Sequence, residues 1–386
     1  MELIEVTNAG EAKEFIAVNV ELNKTNKNYI RPLDKDINDV FDEKKNKTFR
    51  FGKVKRWLLK KEGKSIGRIA AFTNKKYKNK GDDITVGGVG FFDCVNDQNA
   101  AAMLFDGAKH WLLQEGMEAM DGPINFGERD RWWGLVVEGF QSPLYGMNYN
   151  PPYYQSLFET YGFQPFYHQV CFGMIPKNKL NDKVIERHAL YEKDPAFSVR
   201  NMEKSKLEKY AADFATVYNA AWAGHGGLKE LKKEQVVVMF KKMKPVMDES
   251  IIWFAYRNED PIALFVNLPD LNQWFKHLHG KFDLLHKLKF LWIKKTVKCS
   301  KFTGLVFGVV PEFQGKGIDS FMVGEAHKTV LKNPYDEYEM QWIGDFNPKM
   351  LNVAQGLGDV YQSRRLTTYR YLFDRAKEFK RHPILG

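Results

Sequence analysis

Apolar and polar positions along the chain fall into two successive passages with the same grammar. In the first, alternating residues over 54–61 and 65–72, separated by Glu62-Gly63, predict a β-hairpin. The Gly-, Phe- and Val-rich run 86–95 predicts a buried strand. Asp97 then stands where it can cap a helix over 98–115, whose Ala102, Leu104, Phe105, Ala108, Leu112 and Leu113 lie near helical spacing. Gly116 ends that helix. A short strand over 118–124, a long irregular loop, a helix over 151–161 and a strand over 164–174 complete the passage.

The second passage starts near 197–200 and repeats the order. A helix over 206–222 precedes a hairpin joining 250–257 to 262–266 through Asn258-Glu259-Asp260-Pro261. An apolar strand over 302–310 follows, then a glycine turn and a helix over 318–331 stopped by Asn333-Pro334. Tyr338, Met340 and Trp342 alternate with Glu337, Glu339 and Gln341, which predicts a half-buried strand with its carboxylates on the wet side. A helix over 348–357 and a strand over 365–373 close the chain. The repetition predicts an α/β (α+β) protein of two tandem domains, 1–175 and 196–386, joined by a polar, lysine-rich linker at 176–195.

The glycine turn, Val309-Val310-Pro311-Glu312-Phe313-Gln314-Gly315-Lys316-Gly317-Ile318-Asp319, carries the clearest chemistry. Gly315 and Gly317 let a backbone approach a ligand closely, and amides at a helix start converge on an anion. In this setting Gln314-Gly315-Lys316-Gly317-Ile318 resembles the acyl-CoA loop of the GNAT acetyltransferase superfamily, whose pattern is Gln/Arg-x-x-Gly-x-Gly/Ala after a strand ending in Val-x-Pro. The resemblance covers about residues 196–373. It implies two GNAT-like domains, each a mixed, mostly antiparallel sheet flanked by helices. It also implies acetyl-CoA or a longer acyl-CoA as co-substrate: Val309 and Val310 against the pantetheine, and Gln314, Gly315, Lys316, Gly317 and Ile318 on the pyrophosphate. Asn347 falls in the region along the pantetheine arm. Asp319 departs from the family's small residue and sets a carboxylate near the phosphates.

The matching junction of the first domain, Val95-Asn96-Asp97-Gln98, has no glycine, so residues 1–175 read as a degenerate domain without cofactor. The tyrosine that many such enzymes use as acid aligns with Ala354 in the second domain and Phe158 in the first. Catalytic residues are therefore open, with Glu128 and Asp130 as candidate bases, Tyr153 and Tyr154 as candidate acids, and Glu312 as a loop-borne carboxylate. An Arg–carboxylate network under an aromatic cluster explains the 125–134 loop slightly better than catalysis does. His225, between two glycines, is a further candidate contact.

Composition narrows the rest. Net charge is +10, but residues 271–301 hold eight lysines against Asp283 alone, a net of +7 that leaves +3 for the remainder. This basic insertion has Phe275, Leu278, Phe282, Leu285, Leu288 and Trp292 at three- and four-residue steps, with Gly280 dividing it. It suits an anionic membrane surface or a packed cover with solvated lysines; no specific nucleic-acid motif accompanies it. Cys94, Cys171 and Cys299 are scattered without metal-ligand spacing, so no metal site is expected. The expectation is a cytoplasmic N-acyltransferase, peripheral at the inner membrane surface, acting on a small-molecule or lipid amine. The alternative is a non-catalytic acyl-CoA-binding or scaffold protein.

Overall fold

A computed structural model describes residues 1–222 and 230–385; His225 lies outside them. The first half contains β1 (Glu2–Glu5), α1 (Ala9–Asn23), α2 (Asp34–Val40), β2 (Gly52–Lys61), β3 (Lys64–Asn74), β4 (Val86–Cys94), α3 (Gln98–Gln114), β5 (Ala119–Gly122), β6 (Leu135–Glu138), α4 (Tyr154–Tyr161) and β7 (Gln164–Met174). After α5 (Asp182–Ala189) come β8 (Phe197–Asn201), α6 (Leu207–Trp222), α7 (Lys233–Met243), β9 (Ile252–Arg257) and β10 (Asp260–Pro269). Then α8 (Asn272–Phe275), α9 (Leu284–Thr296), β11 (Lys301–Val309), α10 (Ile318–Val330), β12 (Glu337–Met340), β13 (Ile343–Gly344), α11 (Pro348–Gln355) and β14 (Val360–Leu372) finish the chain.

Local chemistry accounts for many of these boundaries. Asn8 and Glu11 form a reciprocal capping box on α1. Asp97 caps α3 through the amides of Asn99 and Ala100. Glu62 and Gly63 both take positive φ, as the tight β2–β3 turn requires.

The strands form one sheet in the order β1-β2-β3-β4-β5-β14-β7-β12-β11-β10-β9-β8, with β6 on β14 and β13 on β7. Only the β4–β5 and β11–β12 pairs are parallel among the described strands. The two halves thus exchange their closing strands: β14 of the second pairs with β5 of the first, while β7 of the first pairs with β12 of the second. Buried ion pairs pin the exchange. Arg370 of β14 reaches Asp121 at 2.6 Å and Asp82 at 2.7 Å, and Arg364 reaches Glu339 at 2.6 Å.

The sequence pattern put Glu339 on a wet face, and the structure corrects this: it is 1% exposed. The joined sheet flanks β12 on both edges, with β11 and β7, and the buried carboxylate is held by Arg364, Lys301 and the Ser363 hydroxyl. Burial pushes its pKa up, but Arg364 and Lys301 outweigh that and hold it below the usual range.

Residues 176–195 are also more than a connector. They contain α5, which packs on α10; Gly324 leaves room for the His188 ring, and His188 sits 2.7 Å from Glu325. No helix among the described residues is long and apolar enough to cross a membrane.

Candidate functional site

The glycine turn lies between β11 and α10. Gly315 and Gly317 have φ of 72° and 91°, a region in which a Cβ is strained. Gly317 is the N-cap of α10 and supplies no capping side chain. The first intrahelical bond runs from the Phe321 amide to the Gly317 carbonyl. The amides of Gly315, Gly317, Ile318, Asp319 and Ser320 have no partner among the described residues, so five donors gather at the positive end of a helix. The segment before the second half braces this turn. Tyr191 donates to the Lys316 carbonyl at 2.6 Å, and the Arg187 stem lies against Gly317. Asp319 is half-buried and has no side-chain partner among the described residues.

Upstream, β11 carries the device that opens a cleft. Val306 pairs with Val266 and Gly304 with Asn267, leaving Leu305 bulged out. Pairing of β11 with β12 runs only from Lys301 to Gly304, after which the strands separate. The gap is a cleft of about 520 Å³ lined mainly by apolar groups, including Phe265, Phe307, Met340, Trp342 and Met350. Two glycines admit aromatic rings: a Cβ on Gly304 would meet the Tyr338 hydroxyl at 2.2 Å, and one on Gly308 the Trp222 ring at 2.1 Å. Tyr338 is buried, and its hydroxyl has no partner among the described residues; burial raises its pKa, so it stays protonated at neutral pH.

The structure distributes the other sequence candidates unevenly. Val309 and Val310 continue β11 from the cleft to the turn. The Gln314 side-chain amide is spent on the Val309 carbonyl at 2.9 Å. Asn347 caps α11 through the Met350 amide and lines the cleft, as does Ala354, which offers no hydroxyl. Glu128 is exposed on the first-half loop yet stands near Tyr218 of α6, another cleft residue. Burial raises the Tyr218 pKa and the Glu128 charge raises it further. Trp342 spans the same gap, packing against the Phe126–Trp132–Trp133 cluster. Asp130 is exposed on that loop.

Tyr153 and Tyr154 lie elsewhere, in the first-half core. Tyr153 donates to the Cys94 carbonyl at 2.7 Å, and Tyr154, fully buried, donates to Asp93 at 3.1 Å. Glu312 faces solvent 3.8 Å from Arg257. All three cysteines are buried thiols. His188, Glu192 and Glu325 converge, with Lys328 paired at 2.7 Å to both carboxylates.

Sequence reasoning missed Tyr218, Trp222 and Tyr338. Tyr338 was visible as one letter of an alternating strand, but its place in the cleft lining follows from the parting of β11 and β12 after Gly304.

No family model matches the chain. It is 24% identical over 380 residues to the bacterial ceramide synthase of Caulobacter vibrioides, across 96% of each chain. It is likewise 24% identical over 366 residues to protein YghO of Escherichia coli, across 93% of each. Among solved structures it matches a tandem GNAT protein from the clavulanic acid biosynthesis pathway with a TM-score of 0.52 at 10% identity, over 98% of this chain and 100% of that one. It also matches the GCN5-related glucosamine N-acetyltransferase region of a fungal multi-domain GH3 β-N-acetylglucosaminidase, with a TM-score of 0.54 at 12% identity. That match covers 96% of this chain and 38% of the fungal protein. The architecture is the tandem GNAT fold.

Proposed function

We propose that the protein moves an acyl group from acyl-CoA to the primary amine of a lipid-like acceptor, at the second-half cleft. The observation that carries this reading is the continuity of an uncapped, glycine-lined helix start with an apolar cleft along one strand. Phe307 and Val310 are three residues apart, about 10 Å in a strand. The turn fits a pyrophosphate because its free amides offer donors without a competing cap. The cleft fits an acyl chain because its walls are Phe, Met and Trp. The sequence similarity to a protein named as a ceramide synthase supports a long-chain amine over a small polar one.

In this reading Val309, Val310 and Asn347 line the path of the pantetheine, while Gly315, Lys316, Gly317 and Ile318 hold the phosphates; Gln314 fixes the strand end. The acceptor nitrogen attacks the thioester carbonyl, a C–N bond forms and the C–S bond breaks. Glu128, projecting from the first half beside Tyr218, takes the proton released by the amine. The departing thiolate needs a proton donor, and Ala354 has none to give; the Tyr338 hydroxyl, protonated in a cleft-lining residue, serves as that donor. Asp130 and Glu312 have no such position.

Acyl-CoA binding without turnover is the second reading, favoured by Ala354 and by Asp319 in the first turn of α10. Incubation with acetyl- and long-chain acyl-CoA and a panel of amines separates them. Release of free thiol that depends on a long-chain amine supports transfer. Binding heat with no thiol release for any amine supports the second reading, and no heat with any acyl-CoA removes both.

A further inference from the structure

The basic insertion divides its apolar residues in a way that the sequence stripe did not show. Phe275 and Leu278 are buried, and Phe282 packs on the core. In α9, Phe290 and Ile293 face inward at 4% and 2% exposure. The opposite face is apolar too: Leu284, Leu285, Leu288, Leu291 and Trp292 are 73%, 75%, 59%, 51% and 63% exposed. At 100° per residue these five fall within an arc of about 120°. Scattered exposed leucines are ordinary; five on one arc of a single helix form a patch that needs an occupant.

The charge around the patch says which. Residues Leu284–Thr296 include no acidic side chain. Lys287 and Lys294 flank the arc on one side, Lys289 flanks it on the other, and Lys295 lies within it near the C-terminal end. Asp283, just before the helix, is engaged with His286 at 2.8 Å, and Asp336 pairs with Lys298, just after it, and with Lys177. An apolar ridge bordered by lysines, with a tryptophan in it, matches the depth profile of an anionic lipid surface. Leucines enter the acyl boundary, while lysine stems extend along it and carry their ammonium groups to the phosphates.

We propose that the outer face of α9 seats the protein on an anionic bilayer. Topology adds a reason for this placement. The insertion leaves the sheet at Pro269 and returns at Lys301, the start of β11, whereas the glycine turn follows the other end of that strand. Nine residues of strand span about 30 Å, nearly four Debye lengths (about 8 Å each) at physiological salt. The anionic lipid surface is thus kept from the site that must attract phosphates, while the bulged, Gly304 end of the cleft lies on the insertion's side. The inference stands on α9 alone and does not require acyl transfer.

Co-sedimentation of the full chain with vesicles, without any substrate, tests it. Phosphatidylcholine vesicles are compared with vesicles containing phosphatidylglycerol. The protein pellets with the anionic vesicles and stays in solution with the zwitterionic ones. Leu285→Ser/Leu288→Ser/Trp292→Ser weakens partitioning by about tenfold or more with unchanged circular dichroism. Lys287→Glu/Lys289→Glu, which leaves the apolar face intact, also weakens it severalfold and decides the matter if the triple variant does not fold. Wild-type protein remaining in the supernatant with anionic vesicles overturns the proposal, as does unaltered binding by a folded triple variant. If sedimentation velocity shows a wild-type dimer that the triple variant abolishes, and vesicles bind neither, the face is a contact between copies instead.

Discussion

Two junctions of the same kind, β4 to α3 and β11 to α10, have opposite chemistry. Each joins a strand in a parallel pair to the helix that follows it. At the first, the Asp97 carboxylate accepts from the amides of Asn99 at 2.8 Å and Ala100 at 3.2 Å. The positive end of α3 is spent inside the protein, which stabilises the helix and closes the site to outside anions. At the second, Gly317 leaves the amides unspent, and Tyr191 and Arg187 brace the turn from another segment. The candidate ligand site is here the omission of a cap, offset by support from elsewhere.

The contrast can be broken from either side. Gly317→Trp forces a bulky residue into φ near 90° and covers the free amides; acyl-CoA affinity by calorimetry falls about a hundredfold or more. Glu128→Gln tests the proposed role of the first-half loop near Tyr218. Turnover falls about a hundredfold while acyl-CoA affinity stays within about twofold, and full turnover by both Glu128→Gln and Asp130→Asn removes that loop from the chemistry.

A third difference concerns buried carboxylates. Asp93 and Asp121 of the first half pair with arginines, whereas Asp270, at the edge of the insertion, has none. Burial pushes its pKa up to about 6. The folded state then holds this proton more tightly than the unfolded chain, so stability declines as pH rises from about 4 to about 6. Relative to Asp270→Asn, urea unfolding of the wild type loses a few kcal/mol across that window. Asp97→Ala removes the first-half cap at a cost of about 1 kcal/mol in urea melts, and its bare amides still bind no acyl-CoA because the 95–98 junction has no glycine to admit a pyrophosphate. The smallest effect is Asp319→Ala, which tightens acyl-CoA severalfold by removing a carboxylate about 5 Å from the phosphates.

Much of the architecture was legible along the chain because it rests on local rules. The Glu62-Gly63 hairpin, the Asp97 cap, the division at Gly280 and the order of elements in both halves all follow from turn residues and periodicity. The helix α5 was hidden inside a lysine-rich stretch, since its few apolar contacts, Leu180 and Val184, look incidental until Val323 meets them. Strand exchange had no local signature at all. Arg364 lies between Ser363 and Arg365, and Arg370 between two tyrosines, as on an edge strand; only their partners, Glu339 and Asp121, reveal a strand buried at the seam.

The sequence by itself determined the elements and the glycine turn, because φ above zero, helix capping and binary periodicity are properties of neighbouring residues. Only the tertiary structure decided that β7 and β14 change places and that the Leu305 bulge parts β11 from β12. It likewise decided that Glu128 of one half stands near Tyr218 of the other, and that α9 shows leucines on its outer face. Those outcomes depend on which surfaces meet, and side chains far apart along the chain settle that together.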